Sequence, residues 1–152
     1  ETELISEGLK MDREQEREIE WDCQKVLRQY YHHVDQREYD EAVLLFTPDV
    51  HWVVMGLDLH GREAVRGSFG GLTDSTIRHV LTNTVVTVID ENNAESISYN
   101  SIYCEKGFPD DGPIPFKAPD RLGTQHAKLK RTDEGWRISE RGSSPGFKQD
   151  RG

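Results

Sequence analysis

The first half of the chain has the hydrophobic spacing of helices. Between residues 12 and 34, apolar side chains recur at intervals of three and four with charged residues between them, which predicts an amphipathic helix. The same spacing over residues 37–46 predicts a second helix, and the Thr-Pro-Asp sequence at 47–49 ends it because proline cannot continue a helix. We expect a short apolar strand at 50–55 and a third helix from Gly61 to about Phe69.

The second half of the chain alternates between apolar and polar positions, as strands do. Residues 76–89 predict a long strand, a turn at 90–93 reverses the chain, and 94–105 forms its partner. Residues 122–131 and 136–141 predict a further hairpin. One face of the long strand is predicted to carry Ile77, His79, Leu81, Asn83, Val85, Thr87 and Ile89. Helices followed by strands indicate an α+β fold, a cone-shaped, curved antiparallel sheet wrapped around the N-terminal helices.

Length, charge and cysteine content restrict the class of protein. A chain of 152 residues predicts one domain, and a formal net charge of −9 argues against partners such as nucleic acid or an anionic membrane. Cys23 and Cys104 lack a CxxC pattern, which indicates reduced thiols, and we expect a cytoplasmic protein. We predict an N-terminal arm or expression remnant at 1–14, a domain at 15–141 and a flexible tail at 142–152.

One loop is unusually long. Residues 107–120 are rich in proline, glycine and aspartate, so they do not predict a strand. Such a loop is either a functional flap or a mobile edge of the sheet.

Two residues carry the main candidate chemistry. His79 lies in the middle of a strand on the same face as Ile77 and Leu81, so it is either a core histidine bonded to a backbone carbonyl or a general base oriented by a carboxylate. Asp35 follows Val34 at the end of the first helical pattern. It is therefore either a cap for the next helix or the carboxylate that orients His79.

Five other side chains could contribute to a pocket. Tyr30 falls on the apolar stripe of the first helix, so it is a core aromatic or a hydroxyl donor to a developing oxyanion. Trp52 suits a pocket wall or the core, and Arg141 suits an anionic group or solvent. Asn100 and His126 lie on neighbouring strands, where they face either the pocket or solvent.

Metal and cofactor motifs are weak or absent in the sequence. Asp58, His60 and Glu63 form a loose cluster without metal-site spacing. No GxSxG, P-loop or GxGxxG motif occurs. We therefore expect neither a metal nor a cofactor.

Three segments together resemble a known family. The order of elements and the stretch 15–141 resemble the SnoaL-like branch of the nuclear transport factor 2-like superfamily, with its scytalone dehydratase, bile-acid 7α-dehydratase and hexachlorocyclohexane dehydrochlorinase. The resemblance is carried by HVDQREYDEAV at 33–43, IRHVLTN at 77–83 and KRTDEGWRI at 130–138. It implies a cystatin-like α+β barrel with Asp35 and His79 as a catalytic dyad.

The resemblance also suggests roles for other residues. It implies a functional hydroxyl at Tyr30 and pocket positions at Trp52 and Arg141. Three departures stand against it. Val34 lies where scytalone dehydratase has a tyrosine, His126 does not correspond cleanly to that enzyme's second histidine, and the 107–120 loop matches none of the three enzymes well.

The function implied by the resemblance is chemistry without a cofactor. We expect a homo-oligomeric lyase, of the dehydratase or dehydrohalogenase type, or an isomerase, acting on a hydrophobic cyclic small molecule. A dimer or trimer would be typical. The alternative is a non-catalytic binding or assembly module, such as the small subunit of a ring-hydroxylating oxygenase.

Overall fold

The computed structural model describes residues 11–71, 73–115 and 118–150, so the first ten residues of the predicted arm lie outside it. Helices α1 and α2, strands β1 and β2 and helix α3 come first, and four long strands follow. Their bounds are α1 Arg13–Gln36, α2 Tyr39–Leu44, β1 Phe46–Val54, β2 Leu57–His60, α3 Arg62–Gly67, β3 Ser75–Asp90, β4 Asn93–Lys106, β5 Arg121–Thr132 and β6 Gly135–Lys148. A 3-10 turn, Pro109–Asp111, lies in the predicted long loop.

Helix α1 confirms the first helical prediction. Its N-terminus has a capping box, in which the Asp12 carboxylate accepts hydrogen bonds from the backbone N–H groups of Glu14 and Gln15. Its C-terminus ends at Arg37, whose φ of 63° is left-handed. The apolar stripe is buried, and Cys23 lies within it, where burial raises the pKa of the thiol to about 12. The buried residues are Ile19, Cys23, Val26, Leu27, Tyr30 and Tyr31.

The sheet is mixed and open. Its strand order is β2-β1-β6-β5-β4-β3, and β1 runs parallel to β6 while all other neighbours are antiparallel. The prediction of a wholly antiparallel sheet is wrong for that pair, because alternation shows which face a side chain occupies and not the direction of a strand. The curved sheet packs against α1, which contacts both β3 and β6. No helix in the described residues is long and apolar enough to cross a membrane.

Strand β1 begins earlier than predicted. Residues 47–49 were expected to form a break, yet they belong to the strand. The pairing with β6 is irregular between Phe46 and His51, which leaves Pro48 without a ladder position. Strand β1 therefore continues through Pro48, at the point where its pairing with β6 is irregular.

The long strand β3 changes face in the middle. Thr82 pairs with Tyr99 and Val85 pairs with Ile97, so β3 has one extra residue there, and Asn83 takes a φ of 50°. This is a β-bulge, which shifts the alternation by one residue. The prediction of one continuous face is therefore wrong beyond Leu81: Val86 is buried, whereas Val85 and Ile89 are exposed. Ile77, His79 and Leu81 keep the predicted common face.

The predicted flexible tail is mostly strand. Strand β6 continues to Lys148, which pairs with Arg121 at the far end of β5. Glycine and serine are poor strand formers, which made residues 142–148 look like a tail, but β5 pairs with all of them except Gly146, where the register shifts. Strand β6 therefore extends seven residues beyond position 141.

Candidate active site

A buried histidine–carboxylate pair joins α1 to β3. Asp35 lies in the last turn of α1, and its Oδ1 atom is 2.6 Å from the Nδ1 atom of His79. Its other oxygen, Oδ2, accepts a hydrogen bond of 2.8 Å from the backbone N–H of His79. The side chains of His79 and Asp35 are only 12% and 9% exposed. Both oxygens of one carboxylate therefore hold a single residue in place.

Asp35 does not cap the next helix. The residue at the N-cap of α2 is Glu38, and no side chain makes a capping hydrogen bond there. A negative charge at the C-terminal end of a helix opposes the helix dipole, at a cost of about 0.3–1 kcal/mol. Asp35 is thus unfavourable for α1 itself, and such local conflicts are typical of functional positions.

The hydrogen bond to Asp35 fixes the tautomer of His79. A carboxylate accepts a proton from Nδ1, so the neutral imidazole carries its hydrogen there and Nε2 is the basic nitrogen. No described residue forms a hydrogen bond with Nε2. The pair therefore presents an oriented base.

Tyr31 lies beside His79. The two rings are 5.0 Å apart between centroids and tilted by 37°. The Tyr31 oxygen accepts hydrogen bonds from Arg141 Nη2 and from Asn100 Nδ2, the latter at 3.3 Å. Burial raises the pKa of Tyr31, so the hydroxyl keeps its proton. Since both lone pairs of the oxygen are engaged, its O–H is left to donate to another group.

Arg141 is a buried cation surrounded by aromatic rings. Its guanidinium carbon lies 4.3 Å from the ring centroid of Tyr30, 4.7 Å from that of Trp52 and 4.8 Å from that of Tyr31. Burial lowers the pKa of Arg141, but the two tyrosine oxygens raise it above its ordinary value, so the side chain stays charged. Among the described residues, no carboxylate forms an ion pair with it.

Three buried polar atoms at this place have no hydrogen-bond partner among the described residues. They are Arg141 Nη1, Asn100 Oδ1 and Trp52 Nε1. Buried polar groups are normally satisfied, because each unmet group costs about 1–3 kcal/mol. Two unmet donors and one unmet acceptor beside an oriented base are what a polar ligand would satisfy. The pair itself offers a metal only one histidine and one carboxylate, and these are already bonded to each other.

The sequence of this chain matches one family over most of its length. The SnoaL-like domain covers residues 15–142. The chain belongs to this SnoaL-like family. The resemblance noted from the sequence is thereby confirmed. No curated protein matches the chain significantly.

Solved structures share the SnoaL-like fold at low sequence identity. A candidate scytalone dehydratase from Novosphingobium aromaticivorans has a TM-score of 0.73 and 16% identity, covering 86% of this chain and 85% of that one. An NTF2-like protein with a cystatin-like fold from the same organism has a TM-score of 0.72 and 20% identity, with coverage of 88% and 85%. A candidate NTF2-like dehydratase from Streptomyces avermitilis has a TM-score of 0.69 and 19% identity, with coverage of 87% and 98%. These similarities confirm the predicted fold class.

The predicted site residues of this SnoaL-like domain separate into two groups. Tyr30, Trp52, Asn100 and Arg141 are all buried near the pair, with Tyr30 only 2% exposed and packed edge-on against Phe46 and Tyr31. Burial raises the pKa of Tyr30 to about 12.

His126 does not join them. It is exposed, because it alternates along β5 with buried Ala127 and Leu129. It pairs with exposed Ile97, so it lies on the outer face of the sheet. Of the two placements left open for it, pocket or solvent, the structure gives His126 the solvent-facing one.

Two contributors were missed by sequence reasoning. Tyr31 was not predicted because the apolar spacing gave α1 a single buried stripe, whereas Tyr30 and Tyr31, about one turn before the end of the helix, are both buried. Gln125 precedes His126 and faces inward, where its Oε1 accepts a hydrogen bond of 3.4 Å from Arg141 Nη2. Side chains two residues apart on a strand share a face. Because Ala127 and Leu129 are apolar and face inward, Gln125 is expected to face inward as well, and this is the signal that could have found it.

Proposed function

We propose that this SnoaL-like domain is a cofactor-independent lyase or isomerase in which His79 removes a proton from carbon. The observation that carries the proposal is the double attachment of His79 to Asp35, by ring and by backbone, inside a buried site. A base that a carboxylate holds in one tautomer, with its other ring nitrogen not bonded to any described residue, suits general-base catalysis.

The first step is proton transfer from a substrate C–H bond to His79 Nε2. The C–H electron pair becomes a carbon–carbon double bond as the bond to a leaving group on the neighbouring carbon breaks. The leaving group departs with the electron pair of its own bond: a halide leaves as the anion, and a hydroxyl group takes the proton from the His79 imidazolium and leaves as water, which completes the β-elimination. In an isomerase, the same proton returns to a different carbon. In either case Asp35 stabilises the imidazolium that forms, since it already accepts the Nδ1 proton.

Tyr31 and Arg141 suit the opposite role, stabilisation of negative charge. The Tyr31 O–H is left to donate, and Arg141 Nη1 is a buried donor with no partner in the part of the chain that the structure describes. Such donors act strongly where water is excluded, because the local dielectric constant is low. They would bind a carbonyl oxygen that gains charge or a departing oxygen or halide.

The walls around these groups favour a hydrophobic, cyclic substrate. The rings of Trp52 and Tyr30 pack on the guanidinium of Arg141, and partly buried Leu81 follows His79 on the same strand face, so the surroundings of the polar groups are apolar. Flat apolar rings pack well against such walls, with polar groups needed only at the reacting end.

Hydrogen exchange tests the proposal whatever the leaving group is. The protein is incubated in deuterated water with a panel of cyclic ketones, β-hydroxy ketones and halogenated rings, and deuterium uptake or product is followed by mass spectrometry. We expect at least one compound to exchange or react with the wild type, and the rate to fall about 100-fold or more in His79→Gln. His33→Gln is the matched control, because His33 is also bonded to a carboxylate, at 2.6 Å, but is outside the site.

Two outcomes would contradict the proposal. One is an unchanged rate in folded His79→Gln protein. The other is a wild-type protein that reacts with no compound and is isolated with a second protein chain, which would favour the non-catalytic module.

Self-association is part of the same proposal. The outer faces of β3 and β4 expose the apolar side chains Val80, Ile97 and Tyr99, with 44%, 43% and 48% of their surfaces accessible. Apolar side chains that neighbour one another on an open sheet support burial against a second copy. Sedimentation of the purified chain measures the oligomeric state.

A further inference from the structure

Three side chains converge on the outer face of the β1–β2 hairpin. His51 and His60 lie directly opposite each other in the antiparallel pair. Asp58 precedes His60 by two residues, so it projects from the same face of β2. Its Oδ1 atom is 2.6 Å from His51 Nε2 and 3.2 Å from His60 Nε2. Two strands thus bring two imidazoles and one carboxylate to a single point.

The geometry is close to that of a metal site. The potential ligand atoms of the three residues lie within 4.8 Å of one another. Ligands about 2.0–2.2 Å from a tetrahedral zinc ion lie roughly 3.4 Å apart, so each atom would move by about 1 Å or less. The two rings are already stacked, with centroids 4.4 Å apart and planes 9° apart. Small side-chain rotations would therefore complete the site.

We propose that His51, Asp58 and His60 form a binding site for a late first-row divalent cation of the zinc class. Imidazole nitrogen with one carboxylate is a ligand set that zinc, copper and nickel prefer, whereas magnesium and calcium prefer oxygen ligands. Water completes the coordination, because three protein ligands leave at least one position open.

The charges around the site favour a cation. The Asp58 side chain is 66% exposed, and a carboxylate in water is ionised at neutral pH. Glu140, opposite His51 on β6, forms an ion pair of 3.0 Å with Lys128, so that pair adds little net charge beside the site. The chain as a whole carries a net charge of −9.

The site is independent of the candidate active site. Along β1 the side chains alternate, so His51 faces outward while Val50 and Trp52 are buried. Leu59, which pairs with Trp52, shares the inner face, and His60 is exposed. Substitutions of the outer residues should therefore leave the fold and the buried pair intact.

Calorimetric titration with zinc chloride tests the proposal. The tag-free chain is treated with EDTA, freed of the chelator and titrated. We expect one zinc ion per chain, and affinity should fall at least about tenfold in His51→Ala, His60→Ala and Asp58→Asn, because even second-shell changes cost 10–100-fold. His33→Ala is the matched control, since it removes a partly exposed histidine bonded to Glu38 at the same 2.6 Å but with no second histidine on that carboxylate.

The melting temperature separates zinc binding at this site from nonspecific binding elsewhere on the surface. Zinc should raise the melting temperature of the wild type and of His33→Ala, and it should not raise that of the His51→Ala/His60→Ala double variant. Absence of zinc binding in the wild type would overturn the proposal. So would binding that survives in the double variant or falls equally in His33→Ala.

Discussion

The pairs His79–Asp35 and His51–Asp58 have the same hydrogen-bond length and opposite surroundings. Each joins an imidazole nitrogen to a carboxylate oxygen at 2.6 Å. In the first pair the side chains are 12% and 9% exposed, and in the second they are 42% and 66% exposed. Asp35 places its second oxygen on the backbone N–H of His79, whereas Asp58 shares one oxygen between two histidines.

The contrast shows that distance alone does not assign chemistry to such a pair. In the buried pair, Nδ1 is bonded, so the basic Nε2 is available in a region of low dielectric constant. In the exposed pair, Nε2 itself is bonded, and water and salt compete with the carboxylate. The buried pair therefore suits proton transfer, and the exposed pair suits a metal ion that displaces water.

The largest expected difference is in turnover. On a substrate found by hydrogen exchange, Asp35→Asn should lower kcat about 100-fold or more, because an amide can stabilise the wrong tautomer of His79 and cannot stabilise an imidazolium. Asp58→Asn should leave kcat near the wild-type value. Steady-state kinetics of the two variants measures this. Equal losses in both would remove the functional distinction between the pairs.

Stability should separate the pairs by a smaller amount. Asp35→Ala leaves the His79 backbone N–H and Nδ1 without their acceptor, which costs about 1–3 kcal/mol for a buried group. Removing the Asp35 charge also removes its unfavourable interaction with the helix dipole, which stabilises the variant by about 0.3–1 kcal/mol. The variant should therefore be less stable than the wild type by roughly 1–2 kcal/mol.

The matched variant is Asp58→Ala, which should unfold at the wild-type urea midpoint because its pair is exposed. Urea denaturation of both variants measures the difference. A more stable Asp35→Ala protein would mean that the carboxylate is retained for function at a net expense of folding free energy.

The sequence predicted the elements of the buried pair better than those of the exposed one. Apolar spacing identified α1 and the inward face of β3, and both follow from local periodicity. The exposed cluster depends on the register of β1 with β2, and β2 itself was not predicted. Sequence reasoning consequently grouped Glu63 with Asp58 and His60, and it missed His51.

The remaining errors share a non-local cause. The bulge at Asn83, the parallel pairing of β1 with β6 and the strand at 142–148 all depend on the neighbouring strand. Tyr31 is buried because the sheet curves around the end of α1, which no single-helix pattern contains. Long-range pairing decides such features, and local propensity does not.

The smallest expected effect is on the titration of Asp58, and it tests whether the exposed pair forms in solution. The hydrogen bond from His51 is the main cause that lowers the pKa of this carboxyl, and His60 adds to it. Because the folded pKa lies below the unfolded value of about 3.9, the pair stabilises the fold above that value, and the contribution is lost as pH falls through the folded pKa.

Carboxyl carbon NMR should therefore show Asp58 titrating below its ordinary range in the wild type and returning toward it in His51→Ala. High salt should reduce the difference, because exposed charges are screened. An unchanged Asp58 titration in His51→Ala would mean that the exposed hydrogen bond is not populated. The two pairs would then differ not only in their surroundings but in whether the hydrogen bond forms at all.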